Sequence, residues 1–193
     1  MCHLNWKDHI HELSKKISRG TGVLLKLRNF VSTRTLLQVY CSIIYSFLIY
    51  GVLTWGNTYK TNIHPLVVLQ KKAIRITFSD FRAHTTPLLR KLNLLKFSDI
   101  VNLHTALFML RYSKGNLPVN FDGFFNPVNS KHPYRTRIAS RTTFSLPLIR
   151  TNYGMFNIRF FGPKLWNTID ESLKSLSINS FKNKLKKKVI GRY

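Results

Sequence analysis

Residues 35–59 read TLLQVYCSIIYSFLIYGVLTWGNTY, a run without one charged side chain. As a helix, Leu36 to Trp55 has the length to cross a bilayer. Its polar residues argue otherwise: Gln38, Ser42 and Ser46 recur every fourth position and draw a wettable line along one face. Tyr40, Tyr45 and Tyr50 sit through the middle of the run, whereas a membrane belt places aromatics at its ends. Arg34 and Lys60 flank the two sides alike and specify no orientation. The segment therefore reads as a helix buried in a folded core. The alternative, a basic protein attached to a membrane through residues 36–55, predicts extraction only with detergent.

On the N-terminal side, Ile10, Leu13, Ile17, Val23, Leu24 and Leu27 recur at helical spacing, with Lys15, Arg19 and Lys26 on another face. This predicts a long helix over 6–30, broken near Gly20 and Gly22. Ser32 or Thr33 can cap the next helix. On the C-terminal side, Gly51 and Gly56-Asn57 allow a turn, and Pro65 predicts the first turn of a helix whose stripe is Leu66, Leu69, Ala73 and Ile76. Lys71, Lys72 and Arg75 ride beside that stripe.

A polar break at Ser79-Asp80 predicts a boundary, giving a helical region over 1–79 and a C-terminal region over 80–193. Short and long helices are expected around Pro87–Leu92 and Phe97–Tyr112. Residues 113–153 turn rich in Pro, Asn, Ser, Thr and Arg, and their runs Tyr134–Ile138 and Phe144–Ile149 favour a small hairpin. Ser177 caps a last helix with Ile178, Phe181, Leu185 and Val189 on its apolar side. The expected class is mainly α: a helical bundle followed by a small α+β subdomain with a short hairpin.

The charge is lopsided, with 31 Lys and Arg against 7 Asp and Glu over 193 residues, formally +24. No acid occurs in 13–79 or 123–169, although basic residues run through both. A surface of this kind suits a polyanion such as RNA or DNA. The 44% hydrophobic content is ample for a packed core. Two cysteines, Cys2 and Cys41, build no disulfide framework and point to a reducing, intracellular setting. The first residues lack an apolar signal core and read as the middle of an amphipathic segment, so the chain is expected to begin inside a domain.

Catalytic groupings are sparse. The single adjacent acid pair, Asp170-Glu171, offers too little to hold the cations of two-metal phosphoryl transfer. Cys2, His3, His9 and His11 fit zinc-ligand spacing poorly. No phosphate-binding glycine loop or nucleophile elbow occurs. No catalytic residue, metal or cofactor is therefore expected. Cations interleaved with aromatics are better represented, since the former neutralise phosphates and the latter accept stacked bases. Tyr134, Arg135, Arg137, Arg141, Arg150, Tyr153, Arg159, Lys164 and Trp166 form such a set. Phe156, Phe160 and Trp166 read as core. In Arg150–Asn167, RTNYGMFNIRFFGPKLWN, the positions placed to meet phosphate are Arg150, Asn152 and Lys164.

The order of several segments carries a resemblance. LNWKDHIHELSKKIS (4–18), LKLRNFVSTRTLLQVYCSIIYSFLIYGVLTWG (25–56), VLQKKAIRI (68–76), TTPLLRKLNLLKFSDI (85–100), LPVNFDGFF (117–125), HPYRTR (132–137), Arg150–Asn167 and SFKNKLKKKVI (180–190) follow one another in the chain. Together they resemble the C-terminal part of a jockey-like LINE reverse transcriptase, over nearly all of residues 4–193. The resemblance implies a helical thumb and the domain after it, without fingers, palm, the aromatic-x-Asp-Asp metal motif or a Cys-rich knuckle. It further implies a truncated or split element, no polymerisation by this chain alone, and residence in the nucleus or cytoplasm as a ribonucleoprotein. A thumb grips the template–primer backbone with cations on helices. That role would fall to Lys15, Lys16, Arg19, Lys26 and Arg28 on the first helix, and to Lys71, Lys72 and Arg75 on the third. The implied partners are RNA, an RNA–DNA hybrid or DNA. Docking onto a separate fingers–palm protein is the alternative role.

Overall fold

The uncharged run is several pieces of helix, and only one face of it is buried. The computed structural model describes residues 6–128 and 143–193. Those residues are mainly α-helical and contain no β-strand. Two compact units divide the chain: Met1–Val101 with Val189–Tyr193, and Asn102–Lys188. Sequence had placed the boundary near residue 80. The stretch from 80 to 101 lies with the first unit because Leu88, Leu89, Leu94, Leu95 and Phe97 are buried there.

In the first unit, α1 (Lys7–Leu27) is followed by α2 (Thr33–Val39), a π-helical turn (Tyr40–Tyr45) and α3 (Ser46–Ile49). Ser32 caps α2, its hydroxyl accepting the Thr35 N–H at 3.3 Å. Leu36, Tyr40, Ile44 and Leu48 are all buried. A strict four-residue repeat drifts by about 40° per step around an α-helix of ~3.6 residues per turn. The wider π turn takes up that drift and keeps all four on the core side. Gln38, Ser42 and Ser46 stay exposed, and the two serines donate back to Gln38 and Ser42 carbonyls at 2.5 and 2.6 Å. Among the described residues no helix is long and apolar enough to cross a membrane.

α1 packs against the π turn and is continuous through both glycines, contrary to the break expected near them. A Cβ on Gly20 would lie 2.8 Å from Ile43 Cγ2, whereas one on Gly22 would meet nothing within 4 Å. The first glycine permits a close helix crossing; the second serves no contact. Opposite effects are expected in urea unfolding. Gly22→Ala should stabilise by about 0.5–1 kcal/mol through helix propensity. Gly20→Ala should destabilise by about 1–2 kcal/mol through overpacking.

Gly51, at φ 58°, turns the chain into α4 (Val52–Trp55). α5 (Lys60–Thr77) begins five residues before Pro65, so the proline lies inside the helix and does not open it. α5 packs along α1, and the residues following their C-terminal ends meet at Arg28 and Phe81, so the two run in the same direction. α6 (Thr85–Lys91) and α7 (Phe97–Ser113) follow. Their connection is held by buried Gln70 of α5, which donates to the Leu95 carbonyl at 2.9 Å and accepts the Phe97 N–H at 3.0 Å. The Gln70 amide also donates to the Tyr40 hydroxyl at 3.4 Å, and burial holds that phenol protonated well above the usual phenol range. Trp55 stacks on Phe97 and donates its indole N–H to the Tyr50 carbonyl at 2.8 Å.

Residues 189–193 return to this unit. The Tyr193 hydroxyl accepts the Lys96 N–H at 2.9 Å and donates to Asp99 at 2.5 Å. Burial first, and then the Asp99 carboxylate, push that phenol upward. Arg90 donates to the carbonyls of Gly191 and Tyr193.

In the second unit, the rest of α7 joins α8 (Asn152–Phe156), α9 (Ile158–Trp166), α10 (Glu171–Lys174) and α11 (Ile178–Ile190). Its core is Ala106, Met109, Leu110, Phe125, Phe144, Trp166 and Phe181. Phe156 and Phe160 are half-buried, less deeply placed than the core role read for them. The hairpin expectation is met by no strand among the described residues. Tyr134–Ile138 lies outside them, and Phe144 makes one isolated bridge with Pro127. The Phe144 backbone is held by a side chain instead: Asn167 accepts its N–H at 3.1 Å and donates to its carbonyl at 2.8 Å. Proline at 127 and 147 removes donors that a longer ladder needs.

One titration follows from this packing. Burial, reinforced by Lys182 and Arg111, holds His104 below its ordinary 6.5. Below that pH the unfolded chain takes up a proton that the folded chain refuses, so the unfolded state binds more protons and stability falls as pH drops. Urea midpoints should decline from about pH 7 to about pH 5, and less steeply in His104→Gln.

Candidate nucleic-acid interface

α1 buries Ile10, Leu13, Ile17, Gly20, Thr21 and Leu24, which leaves Lys15, Arg19 and Lys26 on the opposite face. Positions 15, 19 and 26 fall on one outward stripe at ~3.6 residues per turn. Asp8 and Glu12 occupy the start of that stripe, near the helix's positive end. Lys15 pairs with Glu12 at 2.8 Å, and this contact lowers the Glu12 carboxyl below its usual range. Both partners are well exposed, so the pair contributes little to stability. Beyond Glu12 every charged residue of the stripe is a cation.

Lys16 stands on the flank, exposed, with its ammonium 5.8 Å from the Phe47 ring centre. Lys71 and Lys72 of α5 are likewise exposed, while Leu66, Gln70, Ala73, Ile74, Ile76 and Thr77 face inward. Two residues of the predicted set have structural work instead. Arg75 is half-buried and donates through Nε to the Ala83 carbonyl at 3.1 Å. Arg28 is half-buried at the end of α1, its guanidinium 4.7 Å from the Phe81 ring centre. Buried Nη1 of Arg28 has no hydrogen-bond partner.

In the second unit, Arg150, Asn152 and Lys164 are all exposed. Thr151 caps α8 by accepting the Gly154 N–H at 3.3 Å, which puts Asn152 in the first turn. Lys164 rides on α9 with its ammonium 5.6 Å from the Phe160 ring centre, and Arg159 lies 4.3 Å from that of Phe124. Lys174 is buried, paired with Glu171 at 3.0 Å and placed against Trp166. Lys188 pairs with Asp170. Arg135 and Arg137 lie outside the described residues.

Two residues of the first unit, Phe81 and Arg82, were passed over in the sequence. Both are exposed on the loop between α5 and α6. The available signal was an aromatic inside the polar break SDFRAH (79–84), a place where nothing in the pattern calls for a core residue. Among the described residues, no three His, Cys, Asp or Glu side chains group closely enough to hold a metal ion. No protein-family model, curated protein or solved structure matches the chain.

Proposed function

We propose that this chain is a nucleic-acid-binding part of a jockey-like LINE reverse transcriptase, gripping the backbone of a template–primer duplex without catalysing a reaction itself. The observation that carries this reading is the outward stripe Lys15, Arg19 and Lys26 on α1, with Lys71 and Lys72 exposed on α5. These cations stand on rigid helices within a chain of net charge +24. Helix-borne lysines match phosphates without reading bases, so binding is largely independent of sequence. The resembling segments supply the family; the stripe supplies the chemistry. The partner is an RNA–DNA hybrid, RNA or DNA, and the setting is intracellular, in the nucleus or cytoplasm as a ribonucleoprotein.

Fluorescence anisotropy with two labelled RNA–DNA hybrids of equal length and unrelated sequence tests the reading. Both should bind at low salt with affinities within a few-fold of each other. Failure to bind either one would reject it.

A second reading, docking onto a separate fingers–palm protein, is favoured by the apolar residues exposed in the second unit. Leu148 is 104% exposed, and Leu146, Tyr153 and Met155 are exposed close to it in sequence. Co-expression with a palm fragment should raise the soluble yield if that surface docks, and leave it unchanged if it does not.

A further inference from the structure

The loop between α5 and α6 is built to hold an aromatic ring at the surface. Ser79 adopts φ 55°, a left-handed conformation that serine rarely takes. The next residue, Asp80, accepts the N–H groups of Arg82 and Ala83 at 3.1 and 3.0 Å through one carboxylate oxygen. Arg75 then fastens the end of the loop through the Ala83 carbonyl. A polar loop with this many fastenings would ordinarily display polar side chains. It carries Phe81, 50% exposed, with the Arg28 guanidinium against its ring.

Arg28 is an unusual support. Its Nη1 is buried and reaches no acceptor, a desolvation cost that a solvated arginine would avoid. Contact with the ring returns part of that cost, since the guanidinium is attracted to the aromatic face. The arrangement thus fixes the ring's position from beneath while half of its surface remains open. Exposed Arg82 follows directly in sequence, and exposed Lys26 precedes Arg28 by two residues.

We infer that Phe81 is a stacking platform for one unpaired nucleobase, propped by Arg28, with Arg82 meeting the adjoining phosphate. Aromatic faces accept any base, and a ring immobilised in advance loses little entropy on stacking. The ligand class is a single-stranded overhang joined to a duplex. Arg28, assigned to phosphate binding from sequence, becomes a positioning residue for Phe81. The inference rests on the nucleic-acid reading above and adds to it a contact specific for unpaired bases.

The test uses the full chain and two RNA–DNA hybrids, one blunt and one with a three-nucleotide overhang containing 2-aminopurine. The overhang should bind more tightly, and 2-aminopurine fluorescence should change on binding. Phe81→Leu should remove the fluorescence change and weaken overhang binding by about 5- to 100-fold, with blunt-duplex affinity unaltered. Phe81→Tyr, which keeps the ring, should behave as the parent does. Equal response of both substrates to Phe81→Leu, or no response of either, would overturn the platform while leaving duplex binding standing. Absence of binding to both substrates by the parent would overturn the nucleic-acid reading as well.

Discussion

Replacing Lys15, Arg19, Lys26, Lys71 and Lys72 together by glutamine is expected to lower affinity for an RNA–DNA hybrid at least ~100-fold at ~0.1 M salt. Each cation that neutralises a phosphate releases a counterion and contributes about 0.9 to the slope of log affinity against log salt on a B-form duplex. Loss of all these contacts should flatten the slope by roughly 4. The residues are exposed and lie away from the buried faces of α1 and α5, so the variant should unfold at nearly the parent's urea concentration. That separation makes the outcome interpretable: a binding loss accompanied by unfolding would say nothing about phosphates. Lys15 should contribute least to the effect, because Glu12 competes for it.

Gln70→Leu is expected to destabilise the first unit by about 3 kcal/mol, read as a lowered urea midpoint. Gln70 is 3% exposed and satisfies two backbone groups, the Leu95 carbonyl and the Phe97 N–H. Leucine fills a similar volume yet leaves both groups buried without partners, each costing about 1–3 kcal/mol. The cost falls on the connection that brings α7 against α5, so a reduced near-ultraviolet signal from Trp55, stacked on Phe97, should accompany the loss. A nearly unchanged midpoint would mean that water replaces the amide at both groups.

Much of the helical framework was legible because it depends on local chemistry. The stripe Ile10, Leu13, Ile17 and Leu24 announces α1, Ser32 and Ser177 announce their helices, and both serines accept the N–H three residues on. The polar line Gln38, Ser42 and Ser46 correctly set aside a membrane span over 36–55 for the described helices. What sequence could not show depends on partners far along the chain. Gly20 reads as a helix breaker until Ile43 is seen beside it, and the π turn is needed only because Leu36, Tyr40, Ile44 and Leu48 share one core. Pro65 resembles a helix start, yet the residues before it continue the same helix.

The interface divides in the same way. That Lys15, Arg19 and Lys26 point outward follows from period alone, and the structure places them so. Arg75 and Arg28 carry the same charge but were drawn inward by Ala83 and Phe81, contacts between the ends of helices that no local pattern records. The extended segment around Phe144 misled for a related reason. Its β-favouring composition is real, but its pairing among the described residues stops at one bridge with Pro127, and the Asn167 amide takes the Phe144 N–H and carbonyl on the other edge.

The most direct test of the central claim is the affinity of the purified chain for a blunt RNA–DNA hybrid, measured across ~0.05 to ~0.4 M salt. A backbone grip predicts a straight line in log–log form with a slope of about −4 or steeper. A slope near zero, or no binding at the lowest salt, would contradict it.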